Sequence, residues 1–97
     1  MIVVKKLLEF QWDAGNILKN DKHGVENQET EEVFFDEKKK IFKDHLHSGR
    51  EERFRIMGVT KKGRLLFVVF TKRKGKVRII SARDINKKEV PLYGKKA

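Results

Sequence analysis

Residues 61–84 read KKGRLLFVVFTKRKGKVRIISARD and contain the strongest strand pattern of the chain. Within this stretch, residues 65–71 are apolar on both faces, which is typical of a central strand. The glycines of TKKGR and KRKGK predict tight turns on either side of that strand. Neighbouring strands are predicted at residues 53–59, where basic and apolar side chains alternate, and at residues 77–83. Together these segments predict an antiparallel meander of two hairpins.

The first part of the chain predicts shorter elements. Alternation in LLEFQW, residues 7–12, indicates a half-buried strand. Asp13 suits the N-cap of a short helix over residues 14–22, which Gly24 would end. Glutamates in the first turns predict a second helix over residues 27–35, because acidic side chains favour the positive end of the helix dipole.

The remaining segments complete a single domain. KKKIFKD at residues 38–44 indicates a weak edge strand, and HLHSGREE at residues 45–52 indicates an exposed loop. The tail has room for a short helix capped by Asp84, which Pro91 should stop from continuing. The predicted fold class is α+β in one domain over residues 1–97, with one N-terminal strand, two short helices and a mostly antiparallel sheet.

Positive charge is concentrated in the last third of the chain. Residues 1–60 hold 11 Lys and Arg against 12 Asp and Glu, whereas residues 61–97 hold 13 against 2. The net charge of +10 therefore comes from the segment that forms the predicted meander. A polyanion is the natural partner of such a surface, because each phosphate that is neutralised releases condensed counterions.

Several classes of protein do not fit this sequence. The longest apolar run is too short for a membrane span and the start does not read as a signal peptide, so we expect a cytoplasmic protein. The lack of cysteine excludes disulfides and cysteine-ligated zinc. His45 and His47 lack a metal-ligand spacing, and phosphate-cradling glycine loops are absent, so we expect neither a metal nor a cofactor.

Three arginines are the main candidates for contact with a phosphate. Arg64 opens the predicted central strand, and Arg78 and Arg83 lie on the strand that follows it. Simple alternation places Arg78 and Arg83 on opposite faces unless a bulge intervenes. We therefore expect Arg64 and one of these two to form a forked phosphate clamp, with the other arginine structural. The alternative is that these arginines pair with the acidic helix residues 29–32.

Other side chains are candidates for proton transfer and for binding RNA. The candidates for proton transfer are Lys22, His23, Glu52 and Tyr93. Lys22 and His23 also have a purely structural explanation, because cations favour a helix C-terminus. Trp12 is the candidate for stacking a base. We expect the cations of the turns to give a general attraction to RNA. These cations include Lys72, Arg73 and Lys76.

Motifs along the chain add a family resemblance to this interpretation. W-D, K-H-G-V, E-E-R-F, G-R-L-L and R-I-I-S-A-R occur in this order from residue 10 onward, followed by a tyrosine at residue 93. This arrangement resembles the BrnT family of bacterial toxins. The matching motif positions are Trp12, Lys22, His23, Glu52, Arg53, Arg64, Arg78, Arg83 and Tyr93.

The resemblance implies a fold, an activity and partners. It implies a RelE-like fold and a type II toxin that arrests growth by cutting RNA, with Arg64 and Arg78 contacting the phosphate. It also implies a BrnA-type antitoxin, whose DNA-binding part would bring the complex to its operator DNA. The prediction is a metal-independent endoribonuclease that uses attack by the ribose 2′-hydroxyl, and the alternative is a non-catalytic basic module that binds RNA or protein.

Overall fold

A computed structural model describes residues 8–17, 23–44, 49 and 51–94 of the chain. The strands are β1 (Phe10–Gln11), β2 (Lys40–Asp44), β3 (Arg53–Val59), β4 (Leu65–Arg73) and β5 (Lys76–Asp84). The helices are α1 (Asn27–Val33) and α2 (Val90–Gly94), and residues 14–17 form a further helical turn. The described strands form one sheet in the order β1-β5-β4-β3-β2, which confirms the predicted α+β class.

The sheet is mostly antiparallel, as the turn signals predict. Strands β2 to β5 pair with their chain neighbours in antiparallel ladders, and the short β1 pairs in parallel with β5. The β4–β5 hairpin turns through Lys74 and Gly75, which have φ angles of 53° and 79°. Two successive positive φ angles match the twist of the flanking strands, which explains the lysine–glycine pair at this turn.

Helix α1 covers one face of the sheet and forms the core there. Its N-terminus is closed by a capping box between Glu26 and Glu29, which explains why the helix begins at Asn27. Val33 and the following Phe34 are buried against the sheet. The sheet residues of this core are Ile56, Leu66, Val68, Phe70, Val77, Ile79 and Ala82. The sheet therefore has an α1 side and an opposite side.

A bulge in β5 decides which side chains share the opposite face. Val69 is opposite Ser81, but Phe70 is opposite Ile79, so Ile80 is an extra residue in β5. The extra residue shifts the alternation by one position. As a result Arg78 and Arg83, five positions apart, both point away from α1, and the bulge removes the opposite-face arrangement expected from simple alternation.

Several element ends differ from the sequence prediction. Strand β1 is limited to Phe10–Gln11, and α1 ends at Val33 with residues 34 and 35 in a turn. Asp84 ends β5 instead of capping a helix.

The C-terminal helix begins later than predicted and contains the proline. Helix α2 begins at Val90 and includes Pro91 near its start, where a missing amide hydrogen breaks no helical hydrogen bond. Residues 18–22 of the predicted first helix and most of the predicted loop at residues 45–52 lie outside the described residues.

Candidate nucleic-acid interface

The side of the sheet opposite α1 carries a set of arginines. Arg53, Thr71 and Arg78 form one row across strands β3, β4 and β5. A second row, across β4 and β5, places Phe67 next to Arg83. The arginines of this surface, called here the arginine face, are Arg53, Arg55, Arg73, Arg78 and Arg83. The sheet thus brings together on one surface arginines that are far apart in the sequence.

Part of the arginine face is recessed into a cleft. The cleft has a volume of about 230 Å³, and the cations that line it are Arg53, Arg73 and Arg78. Its other lining residues are Gly15, Asn16, Glu51, Thr71, Ile79 and Ile80. Three guanidinium groups around one cleft make this arginine cleft the strongest candidate for holding a phosphate, because guanidinium binds phosphate oxygens in a fork.

Two arginines of the cleft are held by carboxylates from outside the sheet. Arg73 donates from Nε and Nη2 to the two oxygens of Glu51, both at 2.8 Å. Arg78 donates from Nη1 and Nη2 to the oxygens of Asp13, at 2.5 and 3.2 Å. Each pair is a two-point fork, the geometry in which guanidinium also binds phosphate.

Arg83 forms a third two-point fork at the other end of the arginine face. It donates from Nη1 and Nη2 to the oxygens of Glu89 at 2.9 and 2.7 Å. Its guanidinium lies 4.2 Å from the centre of the Phe67 ring, a cation–π contact that fixes its position. Arg55 is exposed on the same surface, and its charge also acts on Glu89.

The three carboxylates are held in the ionised form by these contacts. The hydrogen bond from Arg78 lowers the pKa of Asp13, and the hydrogen bond from Arg73 lowers the pKa of Glu51. The hydrogen bond from Arg83 likewise lowers the pKa of Glu89, although burial opposes this shift. At neutral pH each fork is therefore an ion pair of a cation with an anion.

Arg64 lies on the α1 side of the sheet, so the predicted clamp with Arg78 or Arg83 is wrong. Its side chain binds Asp84 at 2.7 and 3.1 Å and Glu29 of α1 at 3.0 Å. It also donates to the carbonyl oxygen of Gly24 at 2.9 Å. The alternative prediction, pairing with the acidic helix, is confirmed for Arg64 by the contact with Glu29.

Trp12 and His23 also lie away from the arginine face. The Trp12 indole packs against the core and donates from Nε1 to Glu31 of α1 at 2.6 Å. His23 is exposed beside the start of α1, and its carbonyl oxygen accepts a hydrogen bond from Arg64. The neighbouring Lys22 lies outside the described residues. Base stacking by Trp12 and proton transfer by these residues stay predictions.

The other candidates occupy separate places. Glu52 is exposed and pairs with Lys43 at 2.5 Å. Tyr93 of α2 donates its hydroxyl to Asp36 Oδ2 at 2.6 Å. Of the turn cations, Lys76 pairs in register with Arg73 on the arginine face, whereas Lys72 pairs with Val77 on the α1 side.

Replacing Tyr93 by phenylalanine should lower the free energy of unfolding by about 1 kcal/mol, because Asp36 loses a hydrogen bond. Burial, together with the hydrogen bond to Asp36, raises the pKa of Tyr93 to about 12 from its ordinary value of 10.0. The stabilising contribution of the neutral phenol is therefore complete below pH 10 and is lost as the pH rises through about 12.

The alkaline titration provides the measurement for this prediction. Tyr93 is the single tyrosine of the chain, so its ionisation can be followed directly by ultraviolet absorbance. Chemical denaturation should show that the difference in unfolding free energy between wild type and Tyr93→Phe disappears above pH 12. A tyrosinate transition near pH 10 in the folded protein would contradict the hydrogen bond to Asp36.

A larger groove lies on the α1 side but has the wrong charge for RNA. It has a volume of about 820 Å³, and its apolar part includes Leu8, Phe10 and Phe35. Its acidic lining residues are Glu31, Glu32 and Asp36, with Lys61 as a cation. Carboxylates repel a phosphate backbone, so the smaller arginine cleft is the better candidate despite its size.

Among the residues that the structure describes, no group of three His, Cys, Asp or Glu side chains is arranged to hold a metal ion. No helix within the described ranges could cross a lipid bilayer.

Sequence reasoning missed four residues of this surface. Asp13 was predicted only as a helix cap, and Glu51, Arg55 and Glu89 were not singled out. The basic–apolar alternation of RFRIMGV was the one signal for Arg55, because it places Arg53 and Arg55 on the same face. The three carboxylates had no local signal, since their partners are distant in sequence or on another element.

Comparison with known families identifies a family model that matches most of the chain. A family model described as "Ribonuclease toxin, BrnT, of type II toxin-antitoxin system" matches residues 12–89. The match begins just after β1 and includes α1, strands β2 to β5 and all three forks of the arginine face. No curated protein matches the chain.

Proposed function

Because the chain belongs to the BrnT family of ribonuclease toxins of type II toxin–antitoxin systems, we propose that its arginine face holds the RNA strand that is cut. The observation that carries this proposal is the cleft lined by Arg53, Arg73 and Arg78. Membership of the family implies RNA as the substrate and an antitoxin protein as the partner. The three arginines of the cleft support the proposal that the phosphate lies on this surface of the fold.

The proposed reaction is a metal-independent transesterification. The ribose 2′-hydroxyl attacks the adjacent phosphorus, a new oxygen–phosphorus bond forms, and the bond to the 5′ oxygen of the next nucleotide breaks. A base accepts the proton of the 2′-hydroxyl, and an acid returns a proton to the departing 5′ oxygen. Arg73 and Arg78 stabilise the negative charge that develops on the phosphate, so cations of the protein supply this stabilisation.

The residues that move these protons remain proposals. Lys22, His23, Glu52 and Tyr93 stay candidates through the family resemblance. Glu51 is the carboxylate that lines the arginine cleft. Arg64 is better explained as a structural arginine, because Asp84 and Glu29 already occupy its guanidinium.

A second function, non-catalytic binding of RNA, is favoured by one specific observation. His23 lies on the α1 side, and the Tyr93 hydroxyl is engaged by Asp36. Two predicted proton-transfer groups are therefore held away from the arginine cleft. A protein of this kind would bind RNA in a salt-dependent way without cutting it.

The partners and the compartment follow from the proposed activity. The antitoxin is proposed to be of the BrnA type, with a DNA-binding part that brings the complex to operator DNA. In that case the toxin contacts DNA only indirectly. Access to cellular RNA places the proposed activity in the cytoplasm.

Cleavage by purified protein in the presence of a metal chelator tests the proposed function. We expect free RNA or ribosome-bound RNA to be cut, and the products to end in a cyclic phosphate and a 5′-hydroxyl. Expression should arrest growth, and co-expression of the neighbouring antitoxin should restore it. If folded protein in the presence of the chelator binds RNA but leaves both free and ribosome-bound RNA intact, the non-catalytic alternative is supported.

A further inference from the structure

The three arginine forks share a feature that the proposed function does not explain. Arg73, Arg78 and Arg83 all belong to the sheet, whereas each carboxylate comes from a segment outside it. Every pair uses two guanidinium nitrogens and both carboxylate oxygens. Three independent segments have thus each placed a carboxylate in a two-point contact with an arginine of the same surface.

We infer that Asp13, Glu51 and Glu89 occupy three phosphate subsites of the free protein and that RNA phosphates replace them on binding. This inference rests on the proposed function, because it assigns RNA to the arginine face. A carboxylate presents two oxygens to a guanidinium fork in the same way as a phosphate does, so the two anions compete for the same N–H groups. RNA can occupy a fork only after its carboxylate has left.

Exposure of the carboxylates makes this exchange feasible. The Asp13 and Glu51 side chains are 47% and 43% exposed, so their charges can return to water when they leave the arginines. Exposed ion pairs contribute little to stability, and opening them costs correspondingly little. The Glu89 side chain is only 17% exposed, so its charge returns to water less easily and its subsite opens less readily.

The spacing of the forks defines the length of RNA that reaches all three. Arg73 and Arg78 line the same cleft, whereas Arg83 lies five residues further along β5 than Arg78. At about 3.3 Å per strand residue this separation is roughly 15 Å once the bulge is considered. The cleft therefore accommodates a short RNA, and the Arg83 subsite is reached only by a longer strand.

The affinity for uncleavable RNA tests the exchange. The probes are a dinucleotide and an oligonucleotide of about ten nucleotides, in the size range of single-strand binding sites, with 2′-O-methyl riboses that prevent cleavage. Asp13→Asn and Glu51→Gln should each raise the affinity for both probes by about 3-fold to 10-fold. Glu89→Gln should raise the affinity for the longer probe alone.

Glu37→Gln is the matched control, because it removes the same charge at an exposed position between α1 and β2. It should change the affinity for either probe by less than about 2-fold, through long-range charge alone. Thermal unfolding of each variant checks that the fold is retained.

The outcomes separate this inference from the proposed function. The inference would be overturned if Asp13→Asn and Glu51→Gln bound the probes only as tightly as Glu37→Gln does. It would also be overturned if they bound the probes more weakly than wild type does. If Arg73→Ala still weakens binding in that case, the proposed RNA face stands. If Arg73→Ala and wild type bind both probes equally, the proposed RNA face itself is wrong.

Discussion

Replacing Arg78 by alanine should lower the rate of RNA cleavage by about 100-fold or more, the loss typical for removing one group that stabilises charge in a transition state. Arg78 lines the arginine cleft from β5, and the bulge at Ile80 keeps it on the same face as Arg83. Its partner Asp13 is exposed, so the fold should lose little when the pair is removed. Single-turnover cleavage and chemical denaturation measure the two effects separately.

Two further variants make the Arg78 prediction specific. Arg78→Lys keeps the charge but loses the fork, so we expect it to recover only part of the rate. Lys72→Ala removes a cation from the α1 side of the neighbouring strand and should leave the rate within about 3-fold of wild type. Wild-type cleavage by a folded Arg78→Ala variant would show that the cleft does not hold the scissile phosphate.

Replacing Arg64 by alanine should act mainly on stability and lower the free energy of unfolding by about 2 kcal/mol. Glu29 would lose its ion-pair partner, and the carbonyl oxygen of Gly24 would lose a donor. The Glu29 side chain is 18% exposed, so water replaces the lost contact only in part. Asp84 is more exposed and contributes less to this loss.

The activity of the Arg64 variant distinguishes a structural arginine from one that binds RNA. Cleavage per folded molecule should fall far less for Arg64→Ala than for Arg78→Ala when both are measured well below their melting temperatures. Arg55→Ala provides a control for stability, because Arg55 is exposed on the opposite face. A stable but inactive Arg64→Ala variant would instead support the phosphate contact that the family resemblance implies.

Acid should also weaken the ion pair at Arg64. The hydrogen bond from Arg64 lowers the pKa of Asp84 from its ordinary value of 3.8. The stability that comes from this lowered pKa is complete above pH 3.8 and is lost as the pH falls through the folded-state value. The difference in unfolding free energy between wild type and Arg64→Ala should therefore shrink on acidification below pH 3.8, as urea denaturation at several pH values can show.

The fold was predictable where the determining signals are local. The apolar run over β4 and the glycines of the two turns define the meander, because strand propensity and turn geometry depend on nearby residues. The bulge in β5 was not predictable. Its extra residue is Ile80, an isoleucine next to another isoleucine, and such a pair has no composition that distinguishes it from regular strand.

The site was less predictable because it depends on distant contacts. Asp13 and Arg78 are separated by 65 positions, so their ion pair follows from the parallel pairing of β1 with β5. The position of Arg64 depends on how α1 packs against the sheet. Composition indicated a polyanionic partner, whereas the motifs carried the resemblance to a ribonuclease family. The faces of the arginines required the three-dimensional fold.

The extra residue at Ile80 makes the arginine face sensitive to a kind of mutation that leaves every arginine intact. Deleting Ile80 would leave Arg78 and Arg83 four positions apart in a regular strand, so both would still lie on the arginine face. A substitution that removed the bulge while β5 kept its length would instead leave five positions of regular alternation between them, and one of the two guanidinium groups would then point to the α1 side. Among relatives of this chain, a one-residue gap at this place is therefore compatible with an unchanged arginine face, whereas a loss of the bulge at full length would change the binding surface although an inventory of arginines would show no difference.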